Sequence, residues 1–241
     1  MNDETLSQFI ALLKEKGVDL SPQQLNQYEV YYRELIAWNE KMNLTGITER
    51  EQVYVKHFYD SVSLSFFMSM NEVNTLIDIG SGAGFPSIPL KIAFPHLKVT
   101  IVDSLNKRIQ FLQHLVKELQ ISDVQCVHSR AEDAARLPEL RDRFDLATAR
   151  AVARLSILNE LCLPFVRVGG HFVAMKGSDA ADEIGEAKYS ISELKAKLID
   201  DYAFKLPIEQ SARHLVVLQK TAVTPGKYPR KAGLPAKQPL K

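Results

Sequence analysis

Apolar positions along the chain fall into two regimes. Through the first seventy residues they recur three and four apart, as on one face of a helix: Leu6, Phe9, Ile10 and Leu13, then Leu25, Tyr28, Tyr32, Leu35 and Ile36. Gly17 is a stop for the first of these helices, and Ser21 with Pro22 supplies the N-cap and first turn of the second. TERE at Thr48–Glu51 has capping-box spacing and predicts a third helix running to the region of Phe66. The tyrosine stripe reads as packing rather than as a platform for stacking bases. From Thr75 the pattern changes to short, unbroken apolar runs: Thr75–Ile79, Lys98–Val102, Val124–His128, Phe144–Ala149 and His171–Met175. Such runs are strands buried on both faces. Helical stretches separate them, among them Ile109-to-Leu119, Leu155–Phe165 and Asp179–Lys197. Two final runs, Tyr202–Leu206 and Leu215–Gln219, predict a terminal hairpin. Strand and helix in alternation demand an α/β fold, a mostly parallel sheet covered by helices on both faces.

Composition adds an asymmetry. The 241 residues are 46% hydrophobic and 24% charged, as expected of a soluble globular chain, and the net charge is +1. Residues 224–241, however, hold Lys227, Arg230, Lys231, Lys237 and Lys241 with no acid, which leaves −4 for the first 223. Four prolines share that segment. It reads as an extended, unfolded basic arm, either a solvated tail or a phosphate-touching one, removable without loss of cofactor binding. The expected organisation is a helical N-terminal extension over 1–70, a core over 71–223 and this tail. No apolar run approaches membrane-spanning length, and the acidic N-terminus is unlike a secretion signal, so the expectation is a cytoplasmic protein. Cys126 and Cys162 stand alone among apolar neighbours and read as core residues; no zinc or other metal site is expected.

Candidate chemistry centres on Asn74–Arg108. Gly80, Gly82 and Gly84 follow the first strand at alternate positions, and Asp103 ends the second. Glycines let a ligand lie against bare peptide, and the helix behind them aims free N–H groups at it. Asp103, 23 residues after Gly80, is placed to accept hydrogen bonds from a ribose diol. The site is therefore built for an adenosine-containing cofactor. A dinucleotide fingerprint would need a third glycine where Phe85 stands. That leaves an NAD-dependent oxidoreductase as the weaker alternative to the D-x-G-x-G-x-G pattern of Asp78, Gly80, Gly82 and Gly84. This pattern resembles the first motif of class I S-adenosylmethionine methyltransferases.

Further segments sharpen the resemblance: WNEKMNLT at Trp38–Thr45, KHFYDS at Lys56–Ser61, GFPS from Gly84, SRAED at Ser129–Asp133 and TARAVA at Thr148–Ala153. Together these resemble the RsmG/GidB family of bacterial 16S rRNA guanine-N7 methyltransferases, from about Pro22 to Gln219. The resemblance implies a Rossmann-like class I methyltransferase core with the helical extension, S-adenosyl-L-methionine as cofactor, and as substrate one guanine in the 530 loop of 16S rRNA, free or within the small ribosomal subunit. It implies that Gly80 and Phe85 line the cofactor pocket, that Ala131 and Glu132 flank the adenine, and that Arg150 reaches the reacting end as the catalytic residue. RNA contacts are expected at Arg154, Lys176 and His57, from a monomer.

Absences narrow the reaction. No [DN]-P-P-[YF] motif follows the fourth strand, which disfavours transfer to exocyclic amines. Neither cysteine is placed as the nucleophile that cytosine-C5 methylation requires. What remains is attack by a ring nitrogen with a free lone pair, as at guanine N7. On the sheet motifs alone, methylation of another RNA, a protein or a small molecule stays open.

Overall fold

The computed structural model describes residues 3–241; Met1 and Asn2 of the expected extension lie outside it. Seven strands form one sheet: β1 (Thr75–Ile79), β2 (Lys98–Asp103), β3 (Val124–His128), β4 (Phe144–Arg150), β5 (Val166–Lys176), β6 (Ala196–Lys205) and β7 (Ala212–Lys220). Their spatial order is β3-β2-β1-β4-β5-β7-β6. The first five are parallel, and β7 runs antiparallel to both β5 and β6. The chain leaves β1 towards one edge and returns to start again at β4. Strand order thus reverses between β1 and β4, and their carboxyl ends diverge there into a crevice.

Helices cover both faces. One face carries α1 (Glu4–Lys14), α2 (Pro22–Met42), α5 (Ser87–Ala93) and α6 (Asn106–Glu118), packed through Phe9, Tyr28, Tyr31, Ile88 and Phe111. The other carries α7 (Ala131–Ala134), α8 (Leu155–Cys162), α9 (Ala180–Glu186) and α10 (Lys188–Glu193), packed through Leu158, Phe165 and Ile191. Residues of β1 alternate between the two cores, Leu76 into the first and Ile77 into the second, as the pleat requires.

The N-terminal extension is bolted to the glycine turn. Ser21 and Gln24 form a reciprocal capping box, and the Gln24 amide also donates to the Ile92 and Ala93 carbonyls at the end of α5. Tyr28 donates to Pro89 O at 2.8 Å and Tyr31 to Ala83 O at 2.6 Å. The stripe predicted to pack therefore does so, and its hydroxyls fix the backbone of the turn.

Four expectations need correction. The third helix starts at Arg50 (α3, Arg50–Val53) with Glu49, not Thr48, at the N-cap and no side-chain cap bond; Arg50 itself pairs with Glu29 and Asp3. It widens to a π-helix over Tyr54–Tyr59, returns to α over Asp60–Val62 (α4) and tightens to a 3-10 turn over Ser63–Phe66. The helix predicted over Asp179–Lys197 splits at Ala187 into α9 and α10, and Ala196 already pairs with Lys220 as β6. Strand β5 begins at Val166 and runs through Gly169 and Gly170. A Cβ on Gly170 would stand 2.8 Å from the Asp145 carbonyl, so only glycine fits that close strand pairing.

The fourth correction is the tail. Residues 224–241 fold back on the second core instead of extending. Tyr228 and Leu240 are buried, and a short helix, α11 (Leu234–Lys237), closes the chain. The charge asymmetry explains this: Lys227 pairs with Glu193, Arg230 with Glu160 and Lys241 with Glu186. Arg141 accepts none of that charge but donates to the Thr224 and Tyr228 carbonyls, at 3.0 Å each. The prolines stiffen this path without disordering it. Among the described residues no helix is long and apolar enough to cross a membrane.

Candidate active site

The turn after β1 is built from glycines in the left-handed region, φ 71° at Gly80 and 100° at Gly84. At Gly84 a side chain is excluded twice, by that φ and by the Tyr31 hydroxyl and Ile88, each 2.8 Å from where a Cβ would stand. Gly80 N–H donates to Val102 O at 2.8 Å, which ties the turn to β2. Asp78 lies beneath it, fully buried, with one oxygen accepting from Ser87 N at 3.1 Å and the other unpartnered. Burial pushes the Asp78 carboxyl up to about 7.

Two clefts meet at this turn. The first, of about 590 Å³, lies between the turn, the π-helix and the ends of β4 and β5. Its floor is a stack: His57 lies on Phe85 with centroids 4.5 Å apart, Tyr31 backs Phe85 at 5.3 Å, and the Arg150 guanidinium sits 4.9 Å above the Phe85 ring. Arg150 is held by three partners, donating to Lys56 O (2.9 Å), to Asp60 (2.9 Å) and to His57 Nδ1 (3.3 Å). Asp60 also accepts from Arg213 on β7, at 3.1 Å. The Nδ1 of His57 lies between that donor and the Lys56 carbonyl, 3.2 Å away, and Nε2 lies 2.8 Å from Thr45 Oγ1. Burial, then the Arg150 charge, lowers the His57 pKa to about 3, so the ring is neutral at physiological pH. The lining holds five basic side chains (Lys56, Arg108, Arg150, Lys176, Arg213) against three acidic ones (Asp60, Asp179, Glu183), which favours an approaching anion.

The second cleft, of about 400 Å³, lies beyond the ends of β2 and β3 and shares Gly80, Arg108 and Ala151 with the first. Asp103 stands at its head. One oxygen accepts from Leu105 N at 2.9 Å and keeps a lone pair for a further donor; the other accepts from Gly82 N at 3.2 Å and from Arg108 Nη1 at 3.5 Å. Ala131 and Glu132 line the far side, and Ile157 and Leu161 of α8 make an apolar wall.

A family model described as rRNA small subunit methyltransferase G matches residues 24–215. The chain belongs to that family. It is 55% identical over 235 residues to the ribosomal RNA small subunit methyltransferase G of Bacillus pumilus, covering 98% of each chain. It is 53% identical over 240 residues to that of Lysinibacillus sphaericus, covering 100% of both. Among solved structures it resembles M. jannaschii TYW2 in complex with AdoMet (TM-score 0.52, 17% identity, 68% of this chain and 74% of that one). It also resembles a mutant 16S rRNA (adenine(1408)-N(1))-methyltransferase from Catenulisporales acidiphilia (TM-score 0.51, 13% identity, 63% and 87%). Both likenesses are of the fold.

Within this family member the predicted residues divide. Gly80, Gly82, Phe85, His57 and Arg150 meet in the first cleft, and Gly80, Asp103, Ala131 and Glu132 in the second. Asp78 and Gly84, expected among the cofactor contacts, line neither cleft; they shape the turn from below. Lys176, expected to touch RNA, is committed inward: its ammonium donates to Ala153 O and pairs with Glu183, both at 2.8 Å, with the side chain 11% exposed. Arg154 stands outside both clefts, half-exposed and paired with Glu186. Cys162 is fully buried, whereas Cys126 is only half-buried on edge strand β3, its thiol pushed up to about 11 by burial. Sequence reasoning missed Asp60 and Arg213. Asp60 was within sight, three residues from His57 on one helical face of KHFYDS. Arg213, 153 positions further on, carried no local signal.

Proposed function

We propose that this protein transfers a methyl group from S-adenosyl-L-methionine to N7 of a guanine in the 530 loop of 16S rRNA, at the cytoplasmic ribosome. The observation that carries the reading is the meeting of the two clefts at Gly80. One offers a carboxylate and an apolar slot to an adenosine; the other opens as a basic basin beside an aromatic floor. The residues fit the cofactor: bare peptide at Gly80 and Gly82, spare acceptor capacity on Asp103, and charges in the first cleft that are mostly paired. When bound, the cofactor supplies an electrophilic methyl on a cationic sulfur.

The chain's own residues bind, aim and exclude. Asp103 holds the ribose, and the glycine turn lets the ligand lie close. Phe85, buried between Tyr31 and His57, props the neutral His57 ring at the edge of the basin, beside which a purine taken out of its stack is held. Arg150, fixed by Asp60, Lys56 O and His57, presents its remaining edge to the acceptor. Arg213 and Lys56, at the rim with side chains about one quarter exposed, meet the phosphates. No base is required, because guanine N7 carries no proton near neutrality. Alignment of the two reactants supplies the rate, an effect worth ~7–11 kcal/mol. Both clefts are complete within one described chain, which supports action as a monomer. The test is incubation with labelled S-adenosylmethionine and small-subunit RNA, as free RNA and as particles, followed by mapping of the label. Label at a single 530-loop guanine, abolished by 7-deazaguanine substitution, is expected; label on another atom or another base refutes the reading.

A further inference from the structure

The family model ends at residue 215, so the folded tail beyond it has no role assigned by that resemblance. Its course is specific. From Lys220, whose ammonium is buried on the Leu163 and Val166 carbonyls, the chain crosses the outside of α8. It then returns to the second cleft, where Gly233, Pro235 and Ala236 complete the lining opposite Ile157 and Leu161. We propose that this C-terminal turn is the outer wall of the adenosine site, and that Arg230 is the positioning residue that holds it there. The proposal rests on the reading of the second cleft as the adenosine half of the cofactor site.

Three features carry it. The anchor is buried and bidentate. Glu160 on α8 is fully buried, and its hydrogen bonds all come from Arg230: backbone N–H at 2.7 Å, Nε at 3.0 Å and Nη2 at 2.6 Å. Such a fork fixes both position and orientation. Arg230 Nη2 also donates to Gln238 O at 2.7 Å, which closes residues 230–238 into a loop with α11 inside it. Second, the loop is stitched to the cleft: Gly233 N–H donates to Glu132 Oε1 at 2.7 Å. Glu132, in the first turn of α7 after β3, is thereby joined to the tail, so whatever orders the cleft orders the tail. Third, the wall suits a flat, uncharged heterocycle. Buried Pro235 and half-buried Ile157 and Leu161 are apolar, and Asp103 at the head of the slot is placed for the sugar.

Arg230 touches Glu160 and not the cleft, so its effect on the ligand runs through Pro235 and Gly233. In the full-length protein, Arg230→Ala should weaken S-adenosylhomocysteine binding about tenfold or more by calorimetry, and Arg230→Lys, which keeps the charge but loses the fork, should recover part of that. A purely structural anchor would lower the melting temperature without changing affinity in the folded protein. Hydrogen exchange on the unaltered protein reads the same contact without a mutation: S-adenosylhomocysteine should slow exchange in residues 230–238 together with the Gly80–Gly84 turn. Protection of the turn with an unchanged tail overturns the wall and leaves the cofactor reading standing. Failure of S-adenosylhomocysteine to bind, or to protect the turn, overturns both.

Discussion

Asp60→Ala tests the charge cluster on which the proposed site depends. Asp60 is 5% exposed and bridges Arg150, itself 14% exposed, to Arg213. Its removal leaves the Arg150 guanidinium without a counter-charge inside the fold. Breaking a buried pair from one side costs ~3–5 kcal/mol. Arg213 is 24% exposed and can turn to water, so the lower end, ~3 kcal/mol, is expected here. For a chain of this size each kcal/mol shifts the melting temperature by ~2–4 °C, giving a fall of ~6–12 °C. The specific claim lies in a double-mutant cycle. Arg150→Ala should relieve much of the defect, with a coupling of ~1.5–3 kcal/mol, the worth of a hydrogen bond between charged groups. Single-turnover methyl transfer should fall in all three variants, because the guanidinium is lost or no longer aimed, while S-adenosylhomocysteine affinity changes much less. Additive stabilities, or a melting temperature within ~2 °C of the parent for Asp60→Ala, would show that Arg150 is held without Asp60 and that the cluster reading is wrong.

Asp103→Ala should weaken S-adenosylhomocysteine binding by about tenfold or more, from loss of hydrogen bonds to a charged acceptor worth ~1.5–3 kcal/mol; unchanged calorimetry would place the ribose elsewhere. Changing Cys126 and Cys162 together to Ala should cost stability, chiefly from the cavity at fully buried Cys162, yet leave methyl transfer active; a folded, inactive double variant would revive a covalent route. His57 has a folded pKa of about 3 against a usual 6.5, so the unfolded chain binds the extra proton between those values. Its contribution is therefore full above about pH 6.5 and lost as pH falls towards 3, and His57→Phe should flatten the acid limb of stability measured by denaturant titration. For the same reason transfer rates at saturating cofactor should be flat from about pH 7.5 to 9, and a steep rise abolished by His57→Ala would point to an acceptor that must lose a proton.

The layered α/β architecture and the glycine turn were legible because their signals are local. Strands β1 to β4 announce themselves as apolar runs, and the start of α2 is written in the adjacent Ser21 and Pro22. What escaped depends on distant partners. The π-helix at Tyr54–Tyr59, which carries His57 into the first cleft, leaves no mark in helix propensity. Lys176 looks like a surface cation until Glu183 and Ala153 O are folded against it. The tail misled because proline and lysine content describes how a segment behaves alone, and Glu160, Glu186 and Glu193 were waiting 34 to 70 positions upstream. Asp78 and Gly84 misled differently: the motif marks them correctly as part of the turn, but a motif does not say which side of the backbone faces the ligand.

The order of strands in space differs from the order of synthesis at one edge of the sheet. Strand β7, the last made, is the one that separates β5 from β6. Until residues 212–220 leave the ribosome, β5 has an open edge along its C-terminal half, His171–Lys176, and β6 has nothing to pair with. Exposed strand edges invite pairing with other chains. A premature stop between Lys205 and Ala212 should therefore yield a sticky, insoluble fragment rather than a weakened enzyme, although β1, β2, β4 and the glycine turn would all be present. The nascent chain carries that liability from the completion of β5 until β7 is in place.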